Sequence, residues 1–203
     1  MRIVIATGNS DKLREIGQIL DLPGIELTGL ADYPDIPSVE ENGQTFADNA
    51  LLKGQAAAYH TGLWALADDS GLVVPALDGR PGVRSARFAG PAASYADNVA
   101  KLLDELRGVP DDRLQAEFVC AFALVGTNNR AFLSEGRLPG TIVRRPRGGN
   151  GFGYDPVFLL PDRGKTLAEL EPGEKNAISH RAVALRKIGP LLRTLAEQET
   201  ARC

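Results

Sequence analysis

The 203-residue chain is 43% hydrophobic and 24% charged, a composition that builds a sizeable core and excludes a disordered, collagen-like or coiled-coil protein. Its 23 Lys and Arg against 26 Asp and Glu leave a formal charge of −3, which speaks against a nucleic-acid coat but leaves room for a small anionic ligand held by a few local cations. Two cysteines, Cys120 and Cys203, are too few for a disulfide framework or a four-sulfur zinc site, so a reducing compartment is expected.

In chain order, the apolar start is too short for a signal-peptide core. No later run approaches the ~18 apolar residues of a membrane span. A soluble, cytoplasmic protein with no membrane or nucleic-acid partner is therefore expected. Residues 3–6 form a continuous apolar run and read as a buried strand. A helix follows from about Ser10, with Leu13, Ile16, Gly17 and Leu20 on one face, and ends before Pro23-Gly24. Residues 31–44, with Pro34, Pro37 and Gly43, read as a loop. Thr45 and Asp48 are spaced as a capping box for a second helix that stops at Gly62. Residues 64–67 are a short strand, and Asp68-Asp69-Ser70-Gly71 the turn that leaves it.

Residues 79–91, rich in Gly, Pro and Arg, read as a loop or lid. Ser94 and Asp97 cap a helix with Val99, Leu102, Leu103 and Leu106 inward and Gly108 closing it. Residues 117–125 are apolar on both alternating faces, so this strand is covered from both sides. Thr127-Asn128-Asn129-Arg130 turns the chain into an antiparallel partner running through Leu138. A glycine loop over residues 148–156 feeds a strand at 157–160. A last helix begins near Glu174 and runs past Leu195, kinked at Gly189-Pro190, with Ile178, Ala182, Leu185, Ile188, Leu192 and Leu195 on one side. The order of elements predicts an α/β fold with a mixed central sheet flanked by helices, and no linker divides residues 1–203.

Thr7-Gly8-Asn9-Ser10-Asp11-Lys12 joins a buried strand to a helix. Such a turn offers phosphate the helix N–H groups, a close backbone approach at Gly8 and the charge of Lys12, although a capped Gly-Asn turn is also common without a ligand. Asp68 and Asp69 end the strand, and because side chains alternate along it they should point to opposite sides, so that only one can enter a given cleft. They read either as an exposed turn with an Asx contact or as part of a hard-cation site, since Mg²⁺ takes one or two carboxylates and leaves its other positions to water and phosphate. Lys53, inside the second helix, is the kind of lysine that is usually solvated. Lys175, His180 and Arg181 at the last helix suit an anion or a polar ring edge, or simple capping. Other motifs fail. Gly164-Lys165-Thr166 lacks the first Walker glycine, because Leu159 stands there. The loop glycines Gly149, Gly151 and Gly153 do not complete a dinucleotide fingerprint, His60 and His180 form no zinc-protease motif, and Ser70 lacks a nucleophile elbow. Arg144, Arg145 and Arg147 read as a solvated face.

Taken together these segments resemble the inosine/xanthosine triphosphate pyrophosphatase family. The matching pieces are Thr7 to Lys12, Glu40-Glu41-Asn42-Gly43 with Thr45-Phe46, Asp48-Asn49-Ala50 through Lys53, and Ala67-Asp68-Asp69-Ser70-Gly71-Leu72. They continue with Pro81 to Arg84, Ser85 to Phe88, Gly151 to Pro156, Glu174-Lys175-Asn176 and Ile178-Ser179-His180-Arg181. Two positions depart from the family pattern: Asp48 stands where Glu is usual, and Gly54 where Ala is usual, which weakens the helix by ~0.5–1 kcal/mol.

The resemblance implies two lobes with an active-site cleft, a homodimer, and Mg²⁺-dependent hydrolysis of purine nucleoside triphosphates (ITP, dITP, XTP) to the monophosphate and pyrophosphate. By position, Thr7, Gly8, Asn9, Ser10, Asp11, Lys12 and Lys53 resemble the triphosphate cradle. Glu40 and Asp69 resemble the metal-associated acids, with Asp69 also accepting the proton of the attacking water. Ser70, Phe152, Gly153, Tyr154, Asp155, Lys175, His180 and Arg181 resemble the nucleotide-binding set. On this view Lys12, Lys53 and Lys175 neutralise the leaving pyrophosphate, Phe152 or Tyr154 stacks on the base, and His180 or Arg181 reads the purine 6-carbonyl. Two other readings compete: a Maf-like pyrophosphatase for modified pyrimidine nucleotides, and a purine nucleotide-binding module without catalysis.

Overall fold

Strand β1 (Arg2–Ile5) is built from β-branched residues buried after the first position, and it lies between two parallel neighbours, β2 (Glu26–Gly29) and β3 (Trp64–Val73). The computed structural model describes residues 1–20, 22–128 and 130–200; Asn129 of the expected turn and Cys203 lie outside them. The remaining strands are β4 (Gln115–Val125), β5 (Ala131–Ile142), β6 (Phe158–Leu160) and β7 (Lys165–Thr166). One seven-stranded sheet results, in the order β2-β1-β3-β4-β5-β6-β7. The β5–β6 and β6–β7 pairs are antiparallel, so the sheet is mixed as expected. The connection from β4 to β5 is closed by Gly126 N–H donating to Arg130 O at 2.9 Å; so short a link allows only antiparallel neighbours.

Among the described residues five α-helices accompany the sheet: α1 (Ser10–Ile19), α2 (Phe46–Thr61), α3 (Tyr95–Glu105), α4 (Pro172–Ile178) and α5 (His180–Thr200). Among the described residues no helix is long and apolar enough to cross a membrane. The contacts divide the chain into two units. The first comprises residues 1–69, 120–136 and 181–203, the second residues 70–119 and 137–180.

Strand alternation sorts the core of the first unit. Ile3, Ile5, Leu66, Cys120, Phe122 and Leu124 form one cluster with Ile16 and Leu20 of α1 and Leu185, Ile188 and Leu192 of α5. The intervening residues Val4, Ala6, Ala65, Ala67, Ala123 and Val125 form another with Ala50, Ala57 and Ala58 of α2. Both faces are covered, as the unbroken apolar run of β4 predicted. In the second unit, Leu72, Val99, Leu102, Leu106, Phe118, Ile142, Val157, Phe158, Leu167 and Leu170 enclose a third core.

Several expectations need correction. Asp68 to Gly71 do not leave β3 as a turn; the strand continues through them to Val73. Residues 82–87 of the expected loop or lid form a 3-10 helix. On α1, Leu13 and Gly17 are exposed, and Glu15 takes the buried place beside Ile16. The α3 helix closes at Leu106 instead of Gly108. The single last helix is two: Ser179 leaves helical geometry with ψ 154°, its N–H donating to Lys175 O at 2.8 Å, and α5 begins at His180 and continues through Pro190. The apolar spacing carries on across this break, so periodicity alone does not register it. Arg144, Arg145 and Arg147 are exposed as expected, and Arg144 in addition donates to Asp111 Oδ1 and to the Leu106 carbonyl.

Candidate active site

The continuation of β3 places two adjacent carboxylates on opposite faces of a buried strand. Asp68 extends the face of Leu66, toward α1 and α5, and meets Lys12 Nζ at 3.0 Å and Arg181 Nη2 at 3.7 Å. Asp69 extends the face of Ala65 and Ala67, toward α2, where Asn49 Nδ2 donates to its Oδ2 at 3.0 Å and Lys53 Nζ lies 3.7 Å from its Oδ1. Exposure is 0% for Asp68 and 6% for Asp69, so the exposed-turn reading is wrong for both.

The two acids titrate in opposite directions. Burial pushes the Asp68 carboxyl up, but Lys12, Arg181 and Lys53 outweigh it and hold the group at about 2. Burial also pushes Asp69 up, and here it prevails over Lys53, Lys12 and the Asn49 amide, with Glu41 adding to the rise. Burial alone would lower the Lys53 ammonium, yet Asp68, Asp69 and Glu41 raise it above its ordinary value. Lys53 is thus not the solvated lysine that a helix usually carries. Its Nζ donates to Glu41 Oε1 at 2.9 Å, and with Gly8 and Glu41 it lines a cavity of about 330 Å³.

At the first turn, Thr7 is buried and its Oγ1 accepts from Asn9 N–H. Asn9 caps α1: its Oδ1 accepts from the main-chain N–H groups of Asp11 and Lys12 at 2.9 and 3.1 Å. Those two donors, expected to face a ligand, are already engaged, so the positive character of this end comes from Lys12 and the helix dipole. Gly8 and Ser10 are exposed. Arg181, expected beside a nucleotide, is 1% exposed and bridges Asp68 to Glu15, with Nη1 donating to Glu15 Oε2. Glu40 is exposed at the surface; the acid the structure brings to Lys53 is its neighbour Glu41.

In the second unit, Lys175 is buried with Nζ bonded to Asp155 Oδ2 and poised 4.6 Å from the centroid of the Phe152 ring. Asp155 Oδ2 also accepts from Phe152 N–H at 2.8 Å, which folds the glycine loop over the carboxylate. Phe152 and Gly153 are half-buried, and Tyr95 lies 5.8 Å from the Phe152 ring. Tyr154 points into the core and donates to Ser85 O at 2.9 Å, so of the two aromatic residues only Phe152 keeps a partly open ring. His180 is buried and stacks on Phe118 with centroids 4.8 Å apart. Ser70 is half-buried within β3.

Sequence reasoning gave no site role to Glu15, nor to Asn49 and Glu41, although the last two lie in matched segments. Helical spacing held a signal for the first two. Glu15 stands three residues after Lys12, and Asn49 four before Lys53, so each shares a face with a recognised lysine.

Fold and site together define a mixed α/β protein in which two buried acids are set against lysines, one of which, Lys53, lines a cavity with Gly8 and Glu41. The Ham1 family model matches residues 3–191, and the chain belongs to the Ham1 family. A dITP/XTP pyrophosphatase of Geobacillus kaustophilus (strain HTA426) is 53% identical over 186 residues, 92% of this chain and 91% of that protein. Another from Geobacter sulfurreducens is 53% identical over 184 residues, covering 91% and 92%. Among solved structures, a HAM1 protein from Coxiella burnetii superposes with a TM-score of 0.87 at 45% identity, covering 95% of this chain and 98% of that one.

Proposed function

We propose that this Ham1-family chain is a nucleoside triphosphate pyrophosphohydrolase that cleaves non-canonical purine nucleotides (ITP, dITP and XTP) to the monophosphate and pyrophosphate, clearing them from the nucleotide pool. Relatives about half identical along nearly the whole chain, named for dITP and XTP, support the substrate class. The observation that carries the chemistry is Asp69, a buried carboxylate shifted upward, with a lysine and an amide ordered around it.

A carboxylate with a raised pKa is a better proton acceptor than an ordinary aspartate. Asp69 takes the proton of the water that attacks the α-phosphorus. Lys12 and Lys53 bring positive charge to the phosphates, and the Thr7 to Ser10 turn shapes the main chain against them. Glu41 and Asp69 are hard oxygen donors sharing one ammonium, a donor set that fits Mg²⁺. Asp69 and the Glu40-Glu41 loop would hold the ion, and when bound it neutralises phosphate charge. Phe152, Gly153, Asp155, Lys175, His180 and Ser70 serve the nucleoside. Phe152 offers a ring face, and the Lys175 and His180 nitrogens are donors that a 6-carbonyl accepts and an adenine 6-amino group leaves unpaired. A homodimer and a cytoplasmic location belong to the same proposal.

The test is pyrophosphate release at fixed Mg²⁺ from a panel of ITP, dITP, XTP, GTP, ATP, UTP and dTTP, with wild type and Asp69→Asn. Wild type is expected to favour the first three and to lose turnover when EDTA removes the metal. Asp69→Asn is expected to drop turnover by at least ~10²–10⁴-fold with an unchanged circular dichroism spectrum. Undiminished release by Asp69→Asn removes Asp69 from the mechanism. Preference for pyrimidines identifies a Maf-like activity, and binding without cleavage a sensing module.

A further inference from the structure

Asn49 is fully buried in the first turns of α2, on the alanine face that packs against the sheet. A primary amide in such a place carries a desolvation cost unless both of its ends are bonded. Both are. Its Nδ2 donates to Asp69 Oδ2 at 3.0 Å, and its Oδ1 accepts from the main-chain N–H of Gly43 at 2.8 Å. The amide orientation follows from its partners, because a main-chain N–H only donates and a carboxylate only accepts.

Gly43 closes the segment Glu40-Glu41-Asn42-Gly43. A Cβ at this position would fall 2.7 Å from Asn49 Oδ1, 2.6 Å from Asp48 Cβ and 3.0 Å from Asn49 N. Only glycine brings the main chain close enough to reach the amide. One helical turn on, Lys53 takes Glu41 of the same segment and stands beside the other Asp69 oxygen. The two Asp69 oxygens are thus distinguished: Oδ2 toward a neutral amide, Oδ1 toward an ammonium.

We propose that Asn49 is a positioning residue, and that Gly43 is its required counterpart. The amide fixes the plane of the Asp69 carboxylate and ties the Glu40–Glu41 segment to it, so base and loop acids keep one geometry. Neither residue need touch the substrate. The inference rests on the role proposed for Asp69.

The experiment compares ITP kinetics of wild type, Asn49→Ala, Gly43→Ala and the double variant, each normalised to folded protein by circular dichroism and thermal melting. Misplacement of a reacting group by about 1 Å costs ~10²-fold. Asn49→Ala is accordingly expected to lower kcat by about 10–100-fold with KM within about threefold, the pattern of a lost transition-state interaction. Gly43→Ala, which keeps the amide but pushes the loop off it, is expected to show the same kcat-only loss. The double variant is expected to be no worse than the poorer single one, because both break a single linkage. Gly43 lies in a half-buried loop, so this variant tests the linkage even where Asn49→Ala fails to fold. Unchanged kcat per folded molecule, or losses that multiply in the double variant, overturns the inference while leaving the activity in place. A wild type that releases no pyrophosphate overturns the functional reading and this inference with it.

Discussion

At the scale of single residues, Gly54 shows how a neighbour reverses a helix-propensity argument. It faces the sheet from the middle of α2, and a Cβ there would lie 2.8 Å from Val125 Cγ2, with Ala123 O at 3.5 Å and Ala67 Cβ at 3.6 Å. In a lone helix Ala gains ~0.5–1 kcal/mol over Gly, but overpacking a tight core costs ~1–3 kcal/mol. Gly54→Ala is expected to destabilise by about 1 kcal/mol, seen in calorimetry as a Tm lower by ~2–4 °C. Trimming Val125 to Ala should cost less in that background than in the wild type, a coupling that a double-mutant cycle measures. The other departure from the family pattern is harmless for the cap. Asp48 Oδ2 still accepts from Thr45 N–H at 3.0 Å, so the shorter carboxylate reaches. Asp68 and Asp69 teach the same lesson. Their opposite directions were legible from strand alternation, but their depth in the core was not, because Asp-Asp-Ser-Gly has the composition of an exposed turn.

At the scale of elements, α2 carries in its first two turns Asn49 and Lys53, the two residues that meet the Asp69 carboxylate. Thr45 Oγ1 accepts from Asp48 N–H at 3.1 Å and the Asp48 carboxylate reciprocates, while Gly62 closes the other end in left-handed geometry. These signals lie within a few residues of one another, which is why both ends of this helix could be read from the chain. Removing the hydroxyl with Thr45→Ala is expected to cost ~1 kcal/mol, lowering the midpoint of urea unfolding without changing its slope. The last helix is the counterexample. Glu174 Oε2 accepts from Glu171 N–H to start α4, but the break at Ser179 is a backbone turn inside a continuing apolar pattern. Its consequence is large, since it sets the start of α5, where His180 stacks on Phe118 and Arg181 enters the acid network.

At the scale of the whole molecule, ion pairs differ in worth according to where they lie. Arg107 and Asp104 pair on the surface with side chains 82% and 64% exposed. Arg181, 1% exposed, stands between Glu15 and Asp68. Breaking a buried pair leaves a charge without compensation and costs ~3–5 kcal/mol, whereas exposed pairs contribute little. Arg181→Ala is therefore expected to lower Tm by about 10 °C, while Arg107→Ala leaves the melting curve in place. Equal shifts for the two variants would show that Asp68 and Glu15 do not depend on Arg181. Burial and Asp68 also push the Cys120 thiol up, away from the thiolate form.

Read as a chain alone, the protein declares its short-range features: the first strand, the caps at Thr45 and Ser94, the doubly buried β4, the mixed sheet and the acids and lysines of the motif segments. These depend on residues within a turn or a strand of each other, where spacing and chemistry suffice. Which acid meets which cation is a different matter. Asn49 reaches Asp69 across 20 residues and Glu15 reaches Arg181 across 166. Such pairings follow from which strand face and helix face the folded core presses together. Long-range packing thereby selected Glu41 over Glu40 beside Lys53, drew Arg181 into the interior and buried the Asp69 carboxylate within β3.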